Sequence, residues 1–304
     1  MSWLVKCWPD LKCGITLSVY TSHCIVTRPP DHDPPTSRIY FQSTPPENLH
    51  KSCRKPMITR ALVNPGNEEL VGPELPYFPM GGPTPKDLLT TNWGGAISGS
   101  GMFYAIQSVD GMVSLHGGKD LRKACKNLPV YESVDLIGGG GNAIGGVGSV
   151  RCPVGSAVIT DAFGHAVTRY YSFIVHTVPP LWPGFGGSKL SEDEAIFLLR
   201  SCYYESFKAG FSNGAAIVTT PLLGSGARRA PEGAAIDCAV KGILDAMGES
   251  YRTINNKKVT RSVDELKTPQ PWPPIAAEIV VLEPRTAMSV VRAIDFELES
   301  LAVG

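Results

Sequence analysis

The chain has 304 residues, enough for one large α/β domain or two small ones, and 43% of them are hydrophobic, ample for a core. Lys plus Arg and Asp plus Glu number 28 each, so the formal net charge is zero and neither a nucleic-acid footprint nor a basic membrane-surface patch is indicated. No apolar run approaches the roughly 18 residues needed to cross a bilayer, and Met1 to Tyr20 lacks the basic start and unbroken apolar core of a secretory signal. The expectation is a soluble intracellular protein, cytoplasmic or nuclear.

Eight cysteines are scattered at positions 7, 13, 24, 53, 125, 152, 202 and 238 without a Cys-x-x-Cys pair, so free thiols are expected in a chain that needs no disulfide staples. His23, Cys24 and His32 match no structural zinc spacing. Residues 1–56 are poorly patterned. Ile15 to Val26 has room for a strand or two, and Arg28 to Asn48 is rich in proline and reads as a linker. A single domain is expected over 57–304, with insertions near 72–104, 138–149 and 250–274.

Arg60 to Asn64 is a short apolar strand that must turn at Pro65-Gly66-Asn67, because Pro65 cannot donate to a ladder. A Pro/Gly-rich excursion follows over 72–101. Tyr104 to Leu115 fits either a hairpin turning at Asp110-Gly111 or a helix capped by Asp110 that continues through Leu121 and Cys125, and the helix is preferred. Gly138, Gly140 and Ala143 satisfy the dinucleotide pattern G-x-G-x-x-A, but Gly145, Gly146, Gly148 and Pro153 deny it the helix it needs, so a loop is the better reading.

Ser156 to Thr160 and Tyr171 to Val178 read as strands, and Ser191-x-x-Glu194 is a capping box opening an amphipathic helix. Ala215 to Thr219 is a strand with no polar alternation, as expected of one covered on both faces. After it, Gly224-Ser225-Gly226 leads into a helix striped by Ile236, Ala239, Val240, Ile243, Leu244 and Met247. Bare backbone N–H groups beside a helix N-terminus make a phosphate cradle; an ordinary strand-to-helix turn fits as well. Lys257 to Pro274 reads as surface loop, Ala277 to Leu282 as a last strand and Arg285 to Leu298 as a last helix. Strands alternating with helices predict a largely parallel sheet covered on both faces.

Five of these segments, in order, resemble the macro domain, the ADP-ribose-binding module. Leu62-Val63-Asn64-Pro65-Gly66-Asn67 looks like the family's strand ending in N-x-x-N, and Val109-Asp110-Gly111 is similar to its V-D-G segment. Val154 to Thr160 resembles its V-G-x-A-x-x-T strand, Phe173 to Pro179 its I-x-H-T-V-G-P strand, and Pro221 to Pro231 its second phosphate loop. The resemblance implies a three-layer α/β/α sandwich with a mixed, largely parallel sheet, and a cleft for ADP-ribose at the strand C-termini.

By the same resemblance, Asn67 holds the distal ribose and Asp110 orients or activates the water that attacks its anomeric carbon, releasing ADP-ribose from a modified side chain. Gly224, Ser225, Gly226 and Ala227 hold the diphosphate through backbone N–H groups, and Asn64, Gly111 and Arg228 complete the expected ligand-binding set. No metal or other cofactor is implied. The expected partners are ADP-ribose or an ADP-ribosylated protein, met by a monomer. The chain departs from the family at Ala105 to Ser108, where a run of glycines is usual, and at Arg228 and Ala230, where aromatics usually stack on the ribose.

Plainer readings stand beside these. Asn64 can fix its turn, Asp110 can be a helix cap, Arg228 can be a solvated charge, and His176 reads as a strand histidine satisfied by the core. Mono-ADP-ribosyl hydrolase and non-catalytic ADP-ribose-binding module are the two expected functions, with hydrolase preferred.

Overall fold

The computed structural model describes residues 3–8, 15–21, 59–72, 109–131, 149–185, 188–259 and 275–303. Its strands are β1 (Trp3–Trp8), β2 (Ile15–Thr21), β3 (Arg60–Pro65), β4 (Ala157–Asp161), β5 (Phe173–Thr177), β6 (Ile217–Pro221) and β7 (Ile275–Val281). They form one sheet in the order β1-β2-β7-β6-β3-β5-β4. The inner pairs are parallel, and only the two edges, β1 on β2 and β4 on β5, run antiparallel.

Among the described residues five helices flank the sheet: α1 (Val109–Lys126), α2 (His165–Thr168), α3 (Glu192–Ser212), α4 (Glu232–Val259) and α5 (Pro284–Val303). The period-two alternation of the strands sorts them into layers. Ala61 and Val63 of β3, Val175 of β5 and Ile279 of β7 pack with buried residues of α3, α4 and α5. Leu62, Ile174 and Val280 of the same strands point the other way, into a second core with Val113, Leu121 and Cys125 of α1. The result is the expected α/β/α sandwich.

Local signals in the sequence correspond to local structure. Ser191 Oγ accepts from the Glu194 N–H at 3.3 Å while Glu194 Oε2 accepts from the Ser191 N–H at 2.7 Å, so the capping box starts α3. Residues 109–126 are helical, which rules out the hairpin at Asp110-Gly111, although the helix is interrupted at Gly118 (φ 57°, ψ −141°). Helices α3 and α4 lie so close that a Cβ on Gly242 would come within 2.6 Å of the Arg200 carbonyl oxygen.

Three findings differ from the sequence reading. The segment expected to be a poorly patterned extension contributes β1 and β2, which continue the same sheet beyond β7. The strand read as 215–219 begins two residues later, at Ile217. The last helix begins at Pro284, its rigid φ suiting a first turn, and runs to Val303. The Gly138–Ala143 pattern, the candidate ligands His23, Cys24 and His32, the Arg28–Asn48 stretch, and most of the insertions expected near 72–104, 138–149 and 250–274 lie outside the described residues, although α4 continues through the start of the last one to Val259.

Candidate functional site

The parallel strands β3 and β6 end on one edge of the sheet, where open α/β sheets bind ligands. Three features meet there: the turn after β3, the first turn of α1 and the loop from β6 to α4. Their contact follows from strand parity. Leu62 and Asn64 share one face of β3, so the strand that buries Leu62 against α1 must also deliver Asn64 to the start of that helix.

Asn64 is 2% exposed and donates from Nδ2 to Asp110 Oδ1 at 2.9 Å. The same Nδ2 lies 3.3 Å from His176 Nδ1. An ionised carboxylate only accepts, so it draws the amide nitrogen of Asn64 toward itself. That nitrogen carries two hydrogens, one for Asp110 and one for His176. His176 Nδ1 is therefore the bare nitrogen and its proton sits on Nε2, 3.0 Å from Thr160 Oγ1. A polar chain thus crosses the sheet from α1 through β3 and β5 to β4. Register makes it possible, because Asn64 and His176 are directly paired in the parallel β3–β5 ladder.

The electrostatics follow from burial. Asp110 is 6% exposed, and desolvation pushes its carboxyl up to about 6, opposed by the Asn64 hydrogen bond and the Arg228 charge. Burial pulls His176 down to about 4, so the ring is neutral near pH 7. The Cys125 thiol, 3.8 Å from His176 Nε2, is pushed up to about 12, mainly by burial, and stays protonated. Asn64 Oδ1 is buried and has no hydrogen-bond partner among the described residues. A buried acceptor without a donor is costly.

Asn67 stands differently. Its Nδ2 donates to the Gly72 carbonyl at 3.0 Å and its Oδ1 accepts from the Val71 N–H at 3.2 Å. The side chain ties up its own loop, in which Leu70 takes a left-handed φ of 56°. One amide hydrogen is all that Asn67 has left to donate to a ligand. Gly66 faces the Asn64–Asp110 pair, since a Cβ there would sit 3.7 Å from Asn64 Nδ2 and 3.8 Å from Asp110 Oδ1.

The β6–α4 loop closes the opposite side. Gly224 takes φ 81°, and a Cβ on it would press within 3.1 Å of Leu199 and 3.3 Å of Ala230, so position and space both call for glycine. The Ala230 N–H donates to the Gly224 carbonyl at 3.0 Å and the Arg229 N–H to Gly226 at 3.1 Å, which curls the loop. The amides of Ser225, Gly226 and Ala227 donate to no group among the described residues. Arg228 reaches across to the Gly66 carbonyl from Nη2 at 3.5 Å and bridges the two loops. Gly111 is buried in the first turn of α1.

The structure thus gathers Asn64, Asp110, Gly66 and Arg228 into one place and sets the 224–227 amides on the connected loop. His176 belongs to that cluster although the sequence reading left it to the core; its signal was the strand pairing with Asn64. Among the described residues no three His, Cys, Asp or Glu side chains converge as a metal would require.

Residues 102–239 match the Macro domain family. Over those residues the chain is similar to the macro domain. An O-acetyl-ADP-ribose deacetylase of Citrobacter koseri is 27% identical over 168 residues, 53% of this chain and 80% of that protein. A macro domain-containing protein of Streptomyces nogalater is 31% identical over 133 residues, 44% of this chain and 59% of that protein. Among solved structures, the Oceanobacillus iheyensis macrodomain with ADP superposes with a TM-score of 0.51 at 16% identity, covering 99% of this chain and 98% of that one. Among the described residues no helix is long and apolar enough to cross a membrane.

Proposed function

We propose that this chain binds ADP-ribose in the cleft between the β3 turn and the β6–α4 loop and hydrolyses mono-ADP-ribose adducts there. The observation that carries the reading is Asp110: a buried carboxylate at the first turn of α1, held by Asn64 and raised to about 6. A base that is ionised at neutral pH yet keeps affinity for a proton is suited to take one from an attacking water. The free amides of Ser225, Gly226 and Ala227 fit a diphosphate, because their N–H dipoles accept negative charge without a counter-ion. Arg228 adds a guanidinium that can leave the Gly66 carbonyl for a phosphate oxygen. The orphaned Asn64 Oδ1 is placed to accept from a ribose hydroxyl, and Asn67 contributes chiefly by shaping its loop. The relatives named O-acetyl-ADP-ribose deacetylase support ester hydrolysis on the same nucleotide, which makes an acyl ester of ADP-ribose a second substrate to assay.

One observation favours a binding module without turnover. Asn67, the polar anchor of the matched N-x-x-N segment, has both its side-chain atoms engaged within its own loop. Two measurements separate the readings. Calorimetric titration with ADP-ribose, using ADP and AMP as controls, should give micromolar affinity, about −8 kcal/mol, with ADP much weaker. Asp110→Ala should then lower turnover of a mono-ADP-ribosylated protein by about 100-fold or more while leaving ADP-ribose affinity within a few-fold. Unchanged turnover would remove Asp110 from the chemistry, and binding without turnover in the unaltered protein would make it a reader.

A further inference from the structure

The unexplained member of the cluster is His176. It is 2% exposed, neutral, and lies on β5 between β3 and the edge strand β4, with its ring nitrogens engaged by neighbouring side chains. Its hydrogen bonds are nonetheless arranged in series. Thr160 Oγ1 takes the ring's Nε2 proton at 3.0 Å, which leaves Nδ1 bare toward the Asn64 amide at 3.3 Å, which in turn leaves one amide hydrogen for Asp110 at 2.9 Å.

We propose that His176 is a positioning residue: through its bare Nδ1 it fixes the Asn64 amide and thereby keeps a hydrogen bond on the Asp110 carboxylate. An asparagine amide turns about a soft, broad torsion, and a single hydrogen bond does not define its plane. Two bonds from one nitrogen, at fixed positions on α1 and β5, do. Asn64 Oδ1 has no partner among the described residues that would hold the plane instead. Without His176 the amide rotates, Asp110 loses its donor, and the buried carboxylate holds its proton more tightly. Thr160 sets the tautomer, the usual task of the group behind a functional imidazole. The other groups acting on the cluster do not replace this. Arg228, from the β6–α4 loop, supplies charge but no hydrogen bond to Asp110, and the Cys125 thiol of α1 is protonated.

The inference rests on the proposed hydrolytic role of Asp110 only for its effect on turnover; its effect on the carboxyl group stands independently. The test uses the full chain with 13C-labelled aspartate, the Asp110 carboxyl signal being assigned by its loss in Asp110→Asn. His176→Leu removes the acceptor. His176→Asn puts a carbonyl oxygen near the place of Nδ1 and keeps it. Thr160→Val leaves the ring but frees its tautomer. The expected result is that His176→Leu raises the Asp110 titration midpoint by about one pKa unit and Thr160→Val raises it by less, while His176→Asn stays near the unaltered protein. The acid limb of kcat/KM should move by the same amount in each variant.

An unmoved Asp110 titration in folded His176→Leu overturns the proposal. Should that variant not fold, a shift in Thr160→Val against none in His176→Asn supports it, and equal behaviour of those two overturns it. If the unaltered protein turns nothing over, the hydrolase reading falls while the carboxyl titration still decides the role of His176.

Discussion

The hydroxyl of Tyr203 on α3 accepts the Leu223 N–H at 2.6 Å, just ahead of the loop glycine Gly224. Both residues are buried, so no water can take over if the hydroxyl goes. Tyr203→Phe should therefore cost about 1–3 kcal/mol, the penalty of an orphaned buried donor, with little change in packed volume. The consequence reaches function because that bond fixes where the 224–227 amides begin. Thermal unfolding should show the loss, and calorimetry should show weaker ADP-ribose binding in the fraction that remains folded. A variant equal to the parent in both would mean the loop is held by its internal bonds alone. Asp110 belongs to the same scale: as the proposed base, its raised pKa should put the acid limb of kcat/KM near pH 6, where an unperturbed carboxylate would put it near 4, and a pH–rate profile measures which.

Between elements, a second polar cluster ties three neighbouring strands. Arg60 of β3 donates from Nη2 to Glu278 Oε2 of β7 at 2.5 Å, and Thr219 of β6 donates to the same oxygen at 2.7 Å. Arg60 and Glu278 are largely buried, and Arg60 Nε has no partner among the described residues. Glu278→Ala should destabilise the protein by about 3–5 kcal/mol, because it strands a buried guanidinium, whereas the double change Arg60→Met with Glu278→Leu should recover most of that. Urea unfolding of the three variants measures it, and a mild single variant would show that water reaches the pair. These cross-strand ties mark the boundary of what sequence could show. The capping box at Ser191, the α1 stripe of Leu121 and Cys125, and the glycines of the β6–α4 loop are local patterns, and each was readable. β1 was not, and although Ile15 to Val26 had room for a strand, its place was not legible either, since β2 joins the sheet by pairing with β7, more than 250 residues away in the chain, and β1 by pairing with β2. The link from Asn64 to His176 likewise depends on β3–β5 register. Asn67 shows the opposite failure: the motif named the residue, but only geometry shows its side chain spent on Val71 and Gly72.

For the whole molecule, the cluster makes stability depend on pH in two opposing ways. Asp110 is raised from 3.8 to about 6, so its contribution is fully present below about pH 4 and is lost as pH rises through 6, where a charge must be buried. His176 is lowered from 6.5 to about 4, so its contribution is present above about pH 6.5 and is lost as pH falls through 4, where the folded ring must take a proton. Each shift corresponds to about 3 kcal/mol, and between pH 4 and 6 the two slopes nearly cancel. Asp110→Asn removes one slope and keeps the other. Its stability should rise with pH across that window by about 3 kcal/mol relative to the parent, read as the difference between two urea-unfolding series so that all other groups drop out. Two parallel series would mean that Asp110 is ionised and well solvated in the folded state, and the physical basis for treating it as a base near neutrality would go with it. A curve that diverges as expected would show the folded protein holding a charge at neutral pH that Asn64 and Arg228 only partly compensate, at a cost to its own stability, which is the arrangement a hydrolytic cleft needs and a merely structural helix cap does not.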